Sequence, residues 1–233
     1  MTQSLPVLLV PGLLCSARLY APQITALWPH GPVMVADHRR EDDIKAVAGQ
    51  ILRDAPPRFA LAGLSYGGYI AFEIMRQAAD RVAKLALLDT SARPDTPEQT
   101  AARYAFITMA EEGRLSDVVD TLYPRFVHKD RLSEKALRAV VDAMVTETGP
   151  EAFVRQEKAI ISRSDARAIL ATIKCPTLVL VGDADELTPP DIAREIAGGI
   201  AGAKLTVVPD CGHLATLERP EAVNAALGEW LEA

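Results

Sequence analysis

Six short apolar runs, rich in valine and leucine, constrain the fold of this chain more than any other feature of its sequence. Each run is nearly continuous, without the alternation of apolar and polar residues that is typical of a half-exposed strand. Strands buried on both faces have this pattern, which indicates a parallel sheet covered by helices. The runs occupy residues 6–10, 33–36, 59–62, 84–88, 177–181 and 204–208, and helical segments follow four of them at 43–55, 66–79, 191–197 and 221–231. This alternation predicts an α/β fold with a roughly six-stranded, mostly parallel sheet and helices on both faces.

The alternation stops between residues 91 and 167, where no strand candidate occurs. Thr96 and Gln99 form a capping box, which predicts the start of a helix. A later apolar stripe has the spacing of one helix face; it consists of Leu137, Val140, Val141, Met144 and Val145. We therefore predict a core made of residues 1–90 and 168–233, and a helical cap of residues 91–167 inserted before the last two strands.

Composition and charge argue against several classes of protein. The 25 basic and 31 acidic residues give a net charge of -6, so the chain lacks the basic surface that nucleic-acid binding needs. Three scattered cysteines are too few for a disulfide scaffold and contain no CxxC pair for zinc. The first apolar run is broken by Pro11 and Gly12, and no stretch approaches the roughly 18 apolar residues of a membrane span. We expect a cytoplasmic protein that binds neither nucleic acid nor membranes.

The string GLSYGG, residues 63–68, directly follows the third apolar run and begins the next helix. In a sharp strand-to-helix turn, a GxSxG pattern exposes the serine hydroxyl, and its glycines avoid collisions with the strand and the helix. The helix N-terminus adds oriented N–H groups and the positive end of the helix dipole. The pattern therefore predicts that Ser65 is a nucleophile.

A serine hydroxyl is a weak nucleophile and needs a general base. Of the four histidines, only His213 lies in a loop just after a predicted core strand. That position is the carboxyl edge of a parallel sheet, where ligands and reacting groups collect. His30, His38 and His128 lie in polar turns or in the insertion, and we expect them at the surface. His213 is the predicted base.

A third group must orient the base. The segment VGDADELTPP, residues 181–190, follows the fifth apolar run and contains several acidic residues. Asp183 lies nearest the strand end and is expected to shape the turn, whereas Asp185, two residues further on, is the preferred acid. Asp89, at the end of the fourth run, remains the alternative. Thr188, with the proline after it, is expected to cap the next helix.

Together these motifs resemble the α/β-hydrolase superfamily over essentially the whole chain. The resemblance is carried by the loop VPGLL at residues 10–14, by GLSYGG at 63–68, by GDAD at 182–185 and by Gly212-His213. In that family the aspartate of the GxxD position orients the histidine, which implies Asp185. Backbone N–H groups of the first-strand loop and of the residue after the nucleophile form the oxyanion hole, which implies Leu13 and Tyr66. Many relatives carry a His-Gly pair where this chain has Pro11-Gly12, so a hydrogen bond from that histidine is not expected here.

The resemblance implies a capped serine hydrolase of the carboxylesterase type. It would cleave an ester through an acyl-enzyme, with no metal or organic cofactor. The apolar stripes of the insertion, such as that of Leu137, Val141 and Met144, favour a small to medium, largely apolar acyl group. The expected partner is a small-molecule ester, and an acyl carrier protein is a further candidate. Arg103, Arg125 and Arg155 of the insertion are candidates for contacting an anionic group on the substrate or on a carrier. An insertion at the carboxyl edge of the sheet is expected to cover Ser65 and to set substrate choice.

The resemblance also leaves other activities open. Relatives with the same motifs hydrolyse carbon–carbon bonds or lactones, or act as cofactor-free perhydrolases. Others are ligand receptors with slow turnover. One fold hosts many reactions, so the motifs indicate the chemical groups of the site and not the substrate.

Overall fold

The computed structural model describes residues 5–233 and contains one six-stranded sheet in the order β2-β1-β3-β4-β5-β6. The strands are β1 (Val7–Val10), β2 (Val33–Val35), β3 (Phe59–Leu64), β4 (Val82–Leu88), β5 (Thr177–Gly182) and β6 (Lys204–Val208). All neighbouring strands are parallel. Each strand overlaps one of the six apolar runs, so the predicted α/β architecture is confirmed.

Helices cover both faces of this sheet. Successive strand residues point to opposite faces, so each strand contributes side chains to both layers. Val7 and Leu9 belong to an apolar cluster with the first and last helices, while Leu8 and Val10 belong to a second cluster on the other face. The α-helices are α1 (Ala21–Leu27), α2 (Ile44–Asp54), α3 (Tyr66–Ala78), α4 (Pro97–Glu111), α5 (Leu115–Phe126), α6 (Lys135–Thr148), α7 (Pro150–Ile161), α8 (Pro190–Gly199), α9 (Ala215–Glu218) and α10 (Pro220–Glu232). Short 3-10 helices occupy Ala17–Tyr20, Trp28–His30, Ala79–Arg81, Lys129–Arg131 and Arg167–Thr172. Burial on both faces explains why the strand residues form continuous apolar runs.

Strand order places a crevice at the carboxyl ends of β1 and β3. The connection after β1 runs to β2 on one side, whereas the connection after β3 runs to β4 on the other. The loops after these two adjacent strands therefore diverge, and ligands bind at such switch points in parallel sheets. Residues 11–14 follow β1 and Ser65 follows β3, so the loop after β1 and the turn that carries Ser65 both lie at this crevice.

Helices α4 to α7 form the insertion between β4 and β5. The predicted capping box begins α4: Thr96 accepts a hydrogen bond from the Gln99 backbone, and the Gln99 side chain accepts one from the Thr96 backbone. Leu137, Val141 and Met144 of α6 are buried in the same apolar cluster as β1 and β3. The insertion therefore shares a core with the sheet. Among the helices of residues 5–233, none is long and apolar enough to cross a membrane.

Candidate active site

Ser65 occupies the sharp turn between β3 and α3. Its backbone has φ 55° and ψ -116°, a conformation that costs a non-glycine residue roughly 1–3 kcal/mol. Neighbouring groups hold it there: the Ser65 N–H donates to the Leu88 carbonyl at 3.0 Å, and the Ser65 carbonyl accepts from the Gly68 N–H and the Thr90 hydroxyl, each at 2.8 Å. These bonds fix the serine at the N-terminus of α3, with its side chain in the crevice.

Gly67 permits the close approach of α3 to β1. A Cβ atom at this position would lie 2.0 Å from the Val10 carbonyl oxygen, far inside van der Waals contact. A side chain here would therefore cause the collision that the sequence predicted glycine to avoid. The atoms it would meet belong to the backbone and cannot move aside without cost. Any side chain at position 67 would displace the turn that carries Ser65.

His213 and Asp185 form a buried pair on the opposite side of the crevice. The His213 Nδ1 lies 2.8 Å from the Asp185 Oδ2. The Asp185 carboxylate also accepts bonds from the Leu187 N–H at 2.8 Å, the Thr188 N–H at 3.0 Å and the Thr188 hydroxyl at 2.7 Å. Burial alone would raise the pKa of Asp185, but His213 and these hydrogen bonds outweigh it and hold that pKa below its usual value. An ionised carboxylate can only accept, so Nδ1 carries the proton and Nε2 is left as the basic nitrogen.

The loop that carries His213 is anchored to the end of α5. The backbone N–H groups of His213 and of the next residue both donate to the Phe126 carbonyl at 3.0 Å. Glu218 accepts from the Gly212 N–H at 3.0 Å and from the His128 N–H at 2.7 Å, which joins the two segments a second time. Burial raises the pKa of Glu218. The position of the imidazole therefore depends on the insertion as well as on the sheet.

The loop after β1 brings further N–H groups to the crevice. Tyr66 is the first residue of α3, so its N–H has no acceptor within the helix. Leu13 lines the cavity beside Ser65, and among residues 5–233 no hydrogen bond involves the Leu13 N–H. Leu14 has a positive φ of 57°, and its N–H donates to the Gln156 side chain at 3.0 Å. Within residues 5–233, the Leu13 and Tyr66 N–H groups are therefore two donors near Ser65 with no hydrogen-bond partner.

A cavity of about 310 Å³ opens between Ser65, His213 and the insertion. One part of its wall is apolar and includes Leu13, Phe106, Leu122, Phe126, Val141, Met144 and Ile160. Another part holds an ion-pair cluster of two arginines and two carboxylates. Arg103 contacts Asp95 at 2.6 Å and Glu157 at 2.7 Å, and Arg163 contacts Asp95 at 2.7 Å. The charges of this ion-pair cluster balance, and Arg93 and Arg125 line the cavity outside it, so the cavity combines an apolar wall with a polar wall that carries extra basic side chains.

The family of the chain follows from its full-length match. Residues 7–226 match the alpha/beta hydrolase family. The chain belongs to the α/β-hydrolase family. A solved structure of a thermophilic esterase from Thermogutta terrifontis is similar to this hydrolase with a TM-score of 0.90 and 30% sequence identity, covering 99% of this chain and 90% of that one.

Named relatives of the hydrolase differ in the activities their names describe. A relative from Mycobacterium tuberculosis (strain ATCC 25618 / H37Rv) carries a non-heme bromoperoxidase name, BpoC; it is 30% identical over 184 residues, which cover 74% of this chain and 67% of that protein. A pimeloyl-[acyl-carrier protein] methyl ester esterase from Chromobacterium violaceum is 27% identical, over 82% of this chain and 76% of that protein. The comparisons thus support a hydrolase-family enzyme without selecting one substrate.

His38 contradicts the prediction of a surface histidine. The side chain of the hydrolase's His38 is buried, with its Nε2 3.0 Å from the Pro11 carbonyl oxygen and its Nδ1 3.0 Å from the Gln156 side chain. Burial lowers its pKa to about 4. The turn after β2 folds under the loop after β1, a long-range contact that no local pattern indicated. His30 and His128 are half-buried.

Asp89, the alternative acid, joins the ends of two strands. It is fully buried, and its Oδ1 accepts from the Gly182 N–H at 2.9 Å. Burial, followed by the nearby charge of Asp185, raises the pKa of Asp89 well above its usual value. The structure pairs His213 with Asp185, and Asp89 has the role of a strand-end turn residue in the hydrolase. Asp183 shapes the neighbouring turn by accepting from the Cys211 N–H at 3.1 Å.

Thr188 does not cap the following helix, contrary to the prediction. Pro189 is the N-cap residue of α8, which has no side-chain cap bond. The Thr188 hydroxyl donates instead to Asp185, because the loop turns the side chain inward. An aspartate whose carboxylate accepts from backbone N–H groups two and three residues ahead is a common turn, and this signal could have been read from the sequence.

The three arginines proposed for anion recognition have different surroundings. Arg103 is already matched by its two carboxylates in the ion-pair cluster. The Arg155 Nε donates to the Arg39 carbonyl at 2.8 Å, and Arg155 is not among the residues lining the cavity. Arg125 is exposed and lines the cavity; its hydrogen bond within residues 5–233 is a long contact of 3.4 Å to the Glu186 carbonyl. Of the three, only Arg125 remains available to a ligand.

No metal site accompanies these groups in the described part of the chain. Residues 5–233 contain no group of three or more His, Cys, Asp or Glu side chains arranged to hold an ion. The chemical groups at the crevice include a hydroxyl, a His–Asp pair and backbone N–H donors. This set is suited to acyl transfer.

Proposed function

We propose that this hydrolase cleaves carboxylic esters of a small to medium, largely apolar acyl group. Ser65 is the nucleophile, His213 the general base and acid, and Asp185 the carboxylate that orients His213. The observation that carries the proposal is the 2.8 Å bond between His213 and Asp185, with the imidazole lining the same cavity as the strained Ser65 turn.

The proposed reaction proceeds through an acyl-enzyme. The Ser65 Oγ attacks the acyl carbon while the His213 Nε2 takes the hydroxyl proton and then transfers it to the leaving alcohol. Asp185 keeps the Nδ1 of His213 protonated and stabilises the imidazolium. The N–H groups of Leu13 and Tyr66 donate to the oxyanion, and such donors contribute roughly 3–4 kcal/mol each in related sites. Water, deprotonated by His213, then releases the acid and regenerates Ser65.

The cavity wall supports the proposed acyl group. Its apolar side chains can bury methylene groups at about 0.8 kcal/mol each. A volume of about 310 Å³ lies at the lower end of the range of ligand pockets, which favours a short chain over a long one. Lactones fit the same chemistry, because a lactone is an internal ester.

The first experiment measures hydrolysis of p-nitrophenyl esters with acyl chains of two to sixteen carbons, together with labelling by a fluorophosphonate. We expect Ser65-dependent turnover that is fastest for the shorter chains, and loss of both turnover and labelling in Ser65→Ala. Turnover that persists in Ser65→Ala would overturn the assignment of the nucleophile. A stoichiometric burst without turnover on any ester would instead indicate a ligand receptor.

Substrate choice is proposed to depend on the insertion. Met144 and Leu137 are both buried on α6, but only Met144 lines the cavity. We expect Met144→Ala to shift the preference toward longer acyl chains because it enlarges the cavity. Leu137→Ala, the matched control, should lower stability by a similar 2–5 kcal/mol and leave the chain-length profile unchanged. Identical profiles for both variants and wild type would show that α6 does not select the substrate.

An acyl carrier protein is proposed as a second way of presenting the ester. Carrier proteins of this kind are acidic, and Arg125 is an exposed cation at the cavity. We expect Arg125→Glu to raise KM at least fivefold for a carrier-linked methyl ester and to leave the p-nitrophenyl ester unaffected. Arg155→Glu, outside the cavity lining, is the control. Equal KM values for wild type and Arg125→Glu would argue against carrier recognition at this face.

A further inference from the structure

We propose that His38 and Gln156 form a positioning relay that holds the loop after β1 in the conformation needed to bind an oxyanion. The relay connects the Pro11 carbonyl to the Leu14 N–H through these two buried side chains. Its consequence for catalysis rests on the proposed ester hydrolysis, whereas its hydrogen-bond pattern does not.

Three bonds of equal length make up the relay. The His38 Nε2 lies 3.0 Å from the Pro11 carbonyl oxygen, and the His38 Nδ1 lies 3.0 Å from the Gln156 Nε2. The Gln156 Oε1 then accepts from the Leu14 N–H at 3.0 Å. Both side chains are almost completely buried, at 2% and 0% exposure, so water cannot replace a missing partner.

The chemistry of these groups allows only one arrangement of protons for a neutral imidazole. A backbone N–H can only donate, so the Gln156 oxygen must face Leu14 and the Gln156 amide NH₂ must face His38. The Nδ1 of His38 therefore accepts, and its Nε2 carries the proton that is donated to the Pro11 carbonyl. Burial, which lowers the pKa of His38 to about 4, keeps the imidazole neutral at physiological pH.

The relay lies next to both residues that are proposed as oxyanion donors. Leu14 has a positive φ of 57°, which costs a residue with a side chain roughly 1–2 kcal/mol and needs an anchor. Gln156 supplies that anchor by accepting from the Leu14 N–H, and the neighbouring Leu13, whose N–H makes no hydrogen bond within residues 5–233, lines the cavity. The His38 ring also packs against the Tyr66 ring, with their centroids 5.3 Å apart.

The relay gives the insertion a second function in the site. Gln156 belongs to α7, whereas Pro11 and Leu14 belong to the loop after β1. The histidine that contacts this loop, His38, comes from the turn after β2. We therefore infer that α7 and the loop are held as one unit.

Two substitutions at one position test the relay. Gln156→Met removes both bonds of Gln156 at nearly constant volume. We expect kcat for a p-nitrophenyl ester to fall about 10- to 100-fold with KM within twofold, since a displaced oxyanion donor acts on the transition state.

Gln156→Glu retains the acceptor for the Leu14 N–H, but the second carboxylate oxygen requires a proton on the His38 Nδ1. We expect its kcat relative to wild type to rise as the pH falls from 8 to 6. Gln50→Met, at another buried glutamine on α2, should match wild type.

Nitrogen NMR of His38 tests the bond pattern independently of turnover. We expect the Nε2–H tautomer in wild type and a changed His38 signal in Gln156→Met. The Nδ1–H tautomer in wild type, or an unchanged kcat in folded Gln156→Met, would overturn the relay. A wild type that neither hydrolyses esters nor reacts with a fluorophosphonate would overturn the proposed function instead, and the NMR result would then decide on the relay alone.

Discussion

Asp185 and Asp89 lie just after neighbouring strands and are almost equally buried, yet their surroundings give them different chemistry. Asp185 accepts hydrogen bonds from Leu187 and Thr188 and pairs with His213, and its pKa is held below the usual value. The structure gives Asp89 the Gly182 N–H as a partner, and burial raises its pKa. At the scale of single residues, the number of donors around a buried carboxylate decides whether it is suited to stabilise an imidazolium.

Substituting the two aspartates in parallel tests this difference. Asp185→Asn should lower kcat about 10³- to 10⁴-fold, because an amide cannot hold the required tautomer of His213 or stabilise its charged form. Asp89→Asn should lower kcat less than tenfold, because the amide oxygen can still accept from Gly182. Steady-state kinetics on one ester, with unfolding curves for both proteins, measures the effect. The reverse ranking would place the functional acid at the end of β4.

At the scale of secondary-structure elements, the end of α5 is built into the site. The Phe126 carbonyl accepts hydrogen bonds from two backbone N–H groups of the His213 loop. Gly212 packs directly on the backbone after α5. A Cβ at Gly212 would lie 2.5 Å from the His128 nitrogen and 2.6 Å from the Val127 carbonyl carbon. These contacts hold the end of α5 and the loop together, so this part of the insertion is a fixed support of the imidazole.

We expect Gly212→Ala to lower both the unfolding temperature and kcat, because the clash can be relieved only by separating the loop from α5. Gly228→Ala is the control: a Cβ at Gly228, in α10, meets nothing within 4 Å. That substitution should raise stability by about 0.5–1 kcal/mol through helix propensity and leave kcat unchanged. Wild-type kinetics in Gly212→Ala would show that the contact with α5 does not position His213.

At the scale of the whole molecule, burial shifts the pKa of a histidine and the pKa values of two carboxyl groups in opposite directions. It lowers the pKa of His38 to about 4 and raises the pKa values of Asp89 and Glu218. A buried histidine with a depressed pKa binds its proton more weakly in the folded state than in the unfolded state. Its contribution to stability is therefore complete above its ordinary pKa of about 6.5 and is lost as the pH falls toward 4. The contributions of Asp89 and Glu218 to stability have the opposite pH dependence, because their raised pKa values mean that the folded state binds their protons more tightly.

Comparison with His38→Gln isolates the histidine's contribution, since the carboxyl groups are common to both proteins. Between pH 7 and pH 5, wild type should lose about 2 kcal/mol more unfolding free energy than the variant. Urea unfolding at the two pH values measures this difference. Parallel pH dependences would mean that His38 titrates alike in the folded and unfolded chains, against its observed burial.

The sequence by itself determined the six strands, the capping box of α4 and the turn around Ser65. These features depend on neighbouring residues: apolar runs report burial on both faces, and the glycines of GLSYGG report how closely α3 approaches β1. It also predicted His213 and Asp185 by their positions after strands, and the structure brings these two into contact at 2.8 Å. Their catalytic roles remain proposals.

Only the tertiary structure decided which distant residues become partners. Gln156 is 142 residues from Leu14 and 118 from His38, and no local pattern links these positions. Sequence reasoning placed His38 at the surface and left Arg103 free for a ligand, whereas packing buries the first and pairs the second with two carboxylates. A residue's type and spacing specify which bonds it can make, but burial and partners depend on how the chain packs, because a buried polar group must find its partner wherever the fold supplies one.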